Sequence, residues 1–271
     1  MDYPQYVREL DRTRPDHAGP ENVLVLETVG STNLLARAIL HEYVNECEEM
    51  PPVLVLAWQQ TGGRGRLGRS WASPGGRGVY ASLGLHLEDP AELQPLPLLV
   101  GVGLCRALDP HLPEPCRLKW PNDLLVGGRK IGGILIETLV RPGECTAAVI
   151  GFGVNRDLRG EELPDQRATS LQLAGGDGIG LAELTWELVA GVERELAHRG
   201  DPAYAVESYR AHSVHRPGDR LVCRIGSGAG EQVIEGDFAG FDEQGLLLLD
   251  SDGGRQRLSA GEVIGEAKEE G

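Results

Sequence analysis

A run of glycines and arginines, Thr61-Gly62-Gly63-Arg64-Gly65-Arg66-Leu67-Gly68-Arg69-Ser70-Trp71, lies between two apolar stretches of β character, Val53-Leu54-Val55-Leu56-Ala57 and Val79-Tyr80-Ala81-Ser82-Leu83-Gly84-Leu85. A free Gly/Arg segment would be a flexible linker or a nucleic-acid arm. Anchored by strands at both ends, it reads instead as a ligand loop on a rigid scaffold. Glycine lets the backbone come close to a ligand, and each guanidinium offers a planar fork that matches carboxylate or phosphate oxygens. From Ala57 to Tyr80 there are four arginines and no acid, in a chain of formal net charge −15. The positive charge is concentrated at this loop, which reads as an anion site.

The acidic balance of the rest excludes bulk affinity for nucleic acid or anionic membrane, because phosphate binding needs a basic face. A chain of 271 residues buries a sizeable core and has room for one large domain, or a large and a small one. No apolar run approaches the ~18 residues of a membrane span, and Met1-Asp2-Tyr3-Pro4 lacks the basic start and apolar centre of a signal peptide. A cytoplasmic location is the expectation. The five cysteines, Cys47, Cys105, Cys116, Cys145 and Cys223, have no metal-ligand spacing and are odd in number, which predicts reduced thiols.

Along the chain, residues 1–21 read as a loosely held lead-in, since Pro4, Pro15 and Pro20 interrupt any long helix. Val23-Leu24-Val25-Leu26 reads as a strand. Ser31-Thr32-Asn33 then opens a helix to about Cys47, with Leu35, Ala38, Ile39 and Tyr43 at helical spacing and one of the trio as N-cap. Beyond the loop the pattern predicts a strand over 78–87, a helix over 97–108, strands over 117–126 and 130–140 joined at Gly127-Gly128, a strand over 146–153 and a helix over 181–197. Short strands over 220–225, 232–241, 246–250 and 255–258 follow, which predicts a small β-barrel. Hairpin strands mixed with helices make the larger part an α/β (α+β) layer with a mixed sheet, not a doubly wound parallel one.

A second basic cluster combines Lys119-Trp120-Pro121-Asn122-Asp123 with Arg129-Lys130-Ile131-Gly132-Gly133. With Gly127-Gly128 as a two-residue turn, Val126 faces Arg129, Leu125 faces Lys130 and Lys119 faces Ile136. Both lysines then share one face of the ribbon, separated by several residues at roughly 3.3 Å each. Pro121 cannot donate to a ladder, so a bulge at 120–123 would change that distance. Exposed strand lysines on a solvated face are the alternative, which the glycines at 132 and 133 weigh against. The sequence spacing of His17, His86, His212 and His215 does not suggest catalysis, and they receive no role.

In combination, Ser31-Thr32-Asn33, Gln60 with Gly63-Arg64-Gly65-Arg66-Leu67-Gly68-Arg69, Lys119-Trp120-Pro121-Asn122-Asp123, Arg129 to Glu137, and Gly151-Phe152-Gly153-Val154-Asn155 resemble the biotin protein ligases in order and spacing, over residues 22–265. The resemblance implies a lead-in over 1–21, a biotin- and ATP-binding catalytic domain of the biotin/lipoate ligase type over 22–212, and an SH3-like β-barrel over 213–271. It implies attack of the biotin carboxylate on the α-phosphate of ATP, with Mg²⁺ on the triphosphate. Transfer from biotinyl-5′-AMP to a lysine of the biotin carboxyl carrier protein of acetyl-CoA carboxylase follows.

Carried over by resemblance, Ser31, Thr32, Asn33, Gln60, Gly63, Arg64, Gly65, Arg66, Lys130 and Gly133 bind biotin. Arg64, Arg66, Arg69, Trp71, Lys119, Asn122, Asp123, Lys130, Gly151, Gly153 and Asn155 bind ATP or the adenylate. Lys130, Arg66 and Lys119 are the catalytic cations, and Asp123, near Asn122, serves either the metal or lysine orientation. For Trp71 and Trp120 core packing stays open as the alternative. Some members carry an N-terminal helix-turn-helix unit and repress transcription. Residues 1–21 are too few for one, so the expectation is a short-form ligase without a DNA role, and homodimerisation through a strand edge is left open. The rivals are a lipoate or octanoate transferase, a sensor of biotinyl-adenylate, and a single-stranded nucleic-acid binder.

Overall fold

Alternation along β2 (Val53–Gln60) sends Val53 and Val55 into one apolar cluster and Leu54 and Leu56 into another. A strand with both faces buried must sit inside a sheet that is covered on both sides. The structure, a computed structural model, describes residues 1–46, 51–141, 145–226 and 230–266 and has that arrangement. β1 (Asn22–Val29) pairs in parallel with β2, joined through α2 (Thr32–Glu46). Every other pairing is antiparallel, through β3 (Gly78–Leu87), β4 (Arg117–Lys119), β5 (Asp123–Val126), β6 (Arg129–Arg141) and β7 (Cys145–Asn155). The order across the seven-stranded sheet is β1-β2-β3-β7-β6-β5-β4.

One face packs on α2 through Ala36, Leu40 and Val44; the other carries the main core with α3 (Leu96–Leu108), α4 (Leu181–Leu196) and α5 (Pro202–His212). α3 and α4 cross where two glycines meet, and a Cβ on Gly191 would lie 2.6 Å from the Gly103 carbonyl oxygen and 3.0 Å from Ala107 Cβ. Gly191→Ala should therefore destabilise the protein by about 1–3 kcal/mol through overpacking, although alanine favours helix. A denaturation midpoint equal to or above wild type would refute the close contact.

The mixed sheet agrees with the sequence-based expectation, and the first segment corrects it. Residues Tyr3–Thr13 form α1, with Asp2 accepting the Gln5 amide at 2.8 Å and Pro4 in the first turn, where no intrahelical N–H is required of it. Tyr6 and Leu10 are 2% exposed, and Trp186 Nε1 donates to the Leu10 carbonyl at 2.8 Å, so the segment is bound into the core. α5 was absent from the prediction, although Asp201-Pro202 marks its start by the same logic, with Asp201 accepting the Tyr204 amide. Cys47, at the expected end of α2, lies outside the described residues. Cys105, Cys116 and Cys223 are free buried thiols.

A separate antiparallel sheet holds β8 (Arg220–Ile225), β9 (Gln232–Phe241), β10 (Leu247–Ser251), β11 (Gly254–Leu258) and β12 (Glu262–Glu266) in the order β11-β10-β9-β8-β12. Four of these strands match the predicted ones; β12 was not predicted. Among the described residues no helix is long and apolar enough to cross a membrane.

Candidate active site

Side-chain alternation carries the α2-facing surface of the sheet beyond the end of that helix. On β7 it continues from Ala147 and Val149 to Gly151 and Gly153. On β6 it runs from Leu139 through Glu137 and Leu135 to Gly133, with Gly133 opposite Gly153 and Leu135 opposite Gly151. Side chains that close the sheet under α2 thus give way to glycine, leaving a floor for a cleft. A Cβ at Gly151 would collide with the Asn33 amide, and one at Gly153 with the Trp71 indole. The cleft is open to solvent and spans about 910 Å³ when that open space is counted.

At one end, Ser31, Thr32 and Asn33 begin α2 and are only 3–4% exposed. Gln60 Oε1 accepts the Thr32 amide at 2.9 Å, while Ser82 Oγ donates to Thr32 Oγ1 at 2.8 Å or Asn33 Oδ1 at 2.6 Å. Asn33 Nδ2 donates to Leu135 O at 3.2 Å and Glu137 Oε2 at 3.0 Å. Buried polar groups satisfied this completely form a rigid, directional wall.

At the other end lie the cations. Lys130 Nζ is 2.5 Å from Asp123 Oδ1 and 5.4 Å from the Trp71 ring centroid. Trp71 lies across the Gly133 and Gly153 floor, and its buried Nε1–H has no hydrogen-bond partner among the described residues. Arg64 pairs with Glu137 at 3.2 Å. Half-buried Arg66 donates through Nη1 to Asn122 Oδ1 at 3.4 Å and to Gly261 O at 3.2 Å. Burial pulls the Arg66 guanidinium below its usual range, against Asp123 and Glu262, which pull it back up.

Arg69 forms a fork on Glu262, both bonds 2.6 Å. The Gly/Arg loop is thereby tied to the second sheet. The Arg69 fork holds the Glu262 carboxyl below the usual glutamate range, with burial opposing and Lys119 and Arg224 assisting. A carboxylate depressed in the folded state stabilises it fully above its unfolded pKa of about 4.3, and the contribution is lost as pH falls through the lowered folded value. The difference in Tm between wild type and Glu262→Gln should therefore be constant above about pH 6 and shrink between about pH 5 and pH 3. A difference that holds through that window would show the fork to be unimportant.

Of the residues picked from the sequence, all but Gly63 and Asn155 line this cleft. Gly63 packs behind it, accepting the Trp71 amide at 2.9 Å, and Asn155 is buried with Nδ2 donating to Thr169 O at 2.9 Å. The Lys119 placement is corrected: Lys119 pairs with Asp123 on the separate strand β4, not with Ile136, because the chain turns at 120–122. Trp120 is 3% exposed and packs in the main core while bordering the cleft, and Trp71 lies across the cleft floor. Among the described residues no three His, Cys, Asp or Glu side chains converge on a point that could hold a metal, and Asp123 is engaged by Lys130. This donor set does not fit a resident Mg²⁺.

Residues 25–155 match the Biotin/lipoate A/B protein ligase family and residues 223–264 the Biotin protein ligase C terminal domain. A structure of the biotin protein ligase of Aquifex aeolicus in complex with biotin and ATP superposes with a TM-score of 0.68 at 28% identity, covering 89% of this chain and 97% of that one. The biotin–[acetyl-CoA-carboxylase] ligase of Mycobacterium tuberculosis is 33% identical over 89% of this chain and 87% of its own length. The chain belongs to the biotin protein ligase family. The bifunctional ligase/repressor BirA of Salmonella typhimurium is 32% identical over 96% of this chain and 79% of its own length.

The cleft of this biotin protein ligase is built in part from residues that its motifs do not single out. Ser82 is a lone hydroxyl in an apolar strand, and a buried hydroxyl needs partners, which was the available signal. Glu137, at the end of the Arg129 to Glu137 motif, pairs with Arg64 and accepts from Asn33. Gly261 and Glu262 reach the cleft from the other sheet, and nothing local marks them.

Proposed function

We propose that the cleft joins biotin to ATP, giving biotinyl-5′-adenylate and pyrophosphate, and then passes the biotinyl group to a lysine on the biotin carboxyl carrier protein of acetyl-CoA carboxylase. The observation that carries this reading is the division of one glycine floor between a neutral polar wall and a cationic end. Ser31, Thr32, Asn33 and Gln60 suit the polar rings of biotin, with Gly63 shaping the wall from behind. Lys130, Arg66, Lys119, Arg64 and Arg69 suit the carboxylate and phosphates. Trp71 suits the adenine face, with Gly133, Gly151 and Gly153 leaving room beneath.

In the first step a biotin carboxylate oxygen bonds to the α-phosphorus as the bond to the pyrophosphate oxygen breaks. In the second, the carrier amine bonds to the acyl carbon, the acyl–oxygen bond to AMP breaks, and the amine proton leaves to solvent. Both steps develop negative charge beside the reacting atoms, and fixed cations in a shaped site stabilise it without reorganisation. Asp123 orients Lys130 in this reading, Asn122 braces the turn beside it, and Mg²⁺ arrives with the ATP phosphates as part of the substrate. Asn155 acts from behind the cleft, through Thr169, whose amide donates to the Lys130 carbonyl at 2.8 Å. In this reading residues 22–212 form the catalytic domain and 213–271 the C-terminal barrel, of which 227–229 and 267–271 lie outside the described residues. The net charge of −15 supports a ligase with no part in DNA binding.

Biotin-dependent exchange of labelled pyrophosphate into ATP, with lipoate and octanoate run as competing acids, tests the reading. Exchange with biotin alone is the expected result. Exchange with lipoate or octanoate instead would reassign the acyl substrate, and none with any acid would leave a binding module.

A further inference from the structure

β4 is an edge strand of three residues, and its free edge is covered by the segment that leads into the second sheet. Ser213 bridges Leu118 in parallel, and the Val214 amide donates to Leu118 O at 2.9 Å. The next rung of a parallel ladder would take the Trp120 amide to a backbone carbonyl. Here that amide donates to His215 Nε2 at 3.2 Å, so an imidazole replaces the carbonyl at the peptide directly following Lys119. His215 is 7% exposed and its ring packs against Phe238, 5.6 Å between centroids, which fixes the acceptor from the barrel side.

Accepting through Nε2 requires the neutral ring with its proton on Nδ1. Burial, assisted by the Lys119 ammonium and opposed by Asp219, pulls the His215 imidazole down to about 4, so the ring is neutral across the physiological range. Burial pushes the Cys223 thiol up to about 11 against the same ammonium, which also helps the Arg69 fork to lower the Glu262 carboxyl, and Lys119 and Glu262 both line the cleft where the two sheets meet.

We propose that His215 is a positioning residue for Lys119 in adenylate formation, holding the backbone beside that lysine by accepting the Trp120 amide and so making the placement of the second sheet a condition of cleft geometry. The proposal rests on the phosphate-facing role given to Lys119 above. Misplacing a charged group by about 1 Å costs on the order of 10²-fold in rate, whereas the polar wall at Ser31, Thr32, Asn33 and Gln60 is built from other elements.

The test is biotin-dependent pyrophosphate exchange in full-length H215L, H215Q, K119A and K119A/H215L. H215L should lower kcat about 10–100-fold with the KM for biotin within about 2-fold. H215Q, whose Oε1 reaches where Nε2 lies, should recover to within about 3-fold of wild type, and H215L should cost no more than about 2-fold further in the K119A background. If H215L does not fold, H215N, polar but too short to reach the Trp120 amide, takes its place against H215Q. A folded H215L with wild-type kcat, no recovery by H215Q, or the same loss with and without Lys119 would overturn the proposal. Wild-type exchange by K119A would overturn it at a different point, by removing the role assigned to Lys119 itself.

Discussion

Lys130→Ala is expected to lower the rate of both half-reactions by about 10²–10³-fold, the cost of deleting one preorganised charge donor from an acyl- or phosphoryl-transfer site. The Lys130 ammonium is held by Asp123 and stands over the Trp71 ring, above a glycine floor that gives a ligand room beside it. In the proposed reaction charge develops on the phosphate in the first step and on the acyl oxygen in the second, and this one cation serves both. Deleting it also leaves the Asp123 carboxylate without its partner, close to where an anion must bind. The pair is partly solvated, with side chains 35% and 22% exposed, so the change should spare the fold. The measurement is pyrophosphate exchange for the first step and single-turnover transfer from preformed biotinyl-adenylate for the second. A rise in the KM for biotin with kcat unchanged would make Lys130 a binding group only. Asp123→Asn should cost less in both steps, because the lysine stays and loses only its orientation.

Arg66→Gly is expected to separate the two steps. Adenylate formation should fall by no more than about 10-fold, while release of free biotinyl-adenylate should rise by about 10- to 100-fold, equivalent to the 1.5–3 kcal/mol of one charge-assisted hydrogen bond. Arg66 is suited to this because its guanidinium is half-buried and already oriented by Asn122 and the Gly261 carbonyl, so an added anion need not organise it. Glycine removes the guanidinium and, with it, the loop's bond to the Gly261 carbonyl, while the Arg69–Glu262 fork still ties the loop to the second sheet. Trapping released adenylate with hydroxylamine or a foreign amine measures the effect; release equal to wild type would mean that other groups hold the intermediate. Glu262→Gln keeps Arg66 but loosens its loop, and should increase release more weakly.

Much of this site can be read from the chain because it is built from local segments. The loop from Gly63 to Trp71 is recognisable by its glycines and by the strands on either side. The hairpin at Gly127-Gly128 is recognisable because both residues take positive φ, +55° and +73°, as a tight two-residue turn requires. Ser31, Thr32 and Asn33 are visible as helix-opening residues, though their hydrogen bonds to Gln60, Ser82 and Glu137 come from strands far away in sequence. Glu262 and His215 carry no local signal. Each matters only through a partner almost a hundred residues away or more, Trp120 for His215 and Arg69 for Glu262. α1 is hidden in the sequence because proline breaks a helix in its interior but not in its first turn, where Pro4 falls.

Lys130 shows most directly where the sequence stops. Residue types and spacing alone determined that basic groups, glycines and a turn come together between residues 119 and 133, and that helices would combine with a mixed sheet. Regular alternation along β6, counted back from Gly133, would put Lys130 on the opposite face from the cleft. In the folded protein Leu124 pairs with Gly132 but Leu125 with Lys130, so Ile131 is an extra residue in the ladder. Ile131 is fully buried in the main core, and the bulge reverses the parity so that Lys130 emerges above Gly133, against Asp123. A one-residue offset exchanges the faces of a strand. Its occurrence here was decided by tertiary packing, which buries Ile131 while the Lys130 amide bonds to the Arg167 carbonyl at 2.7 Å.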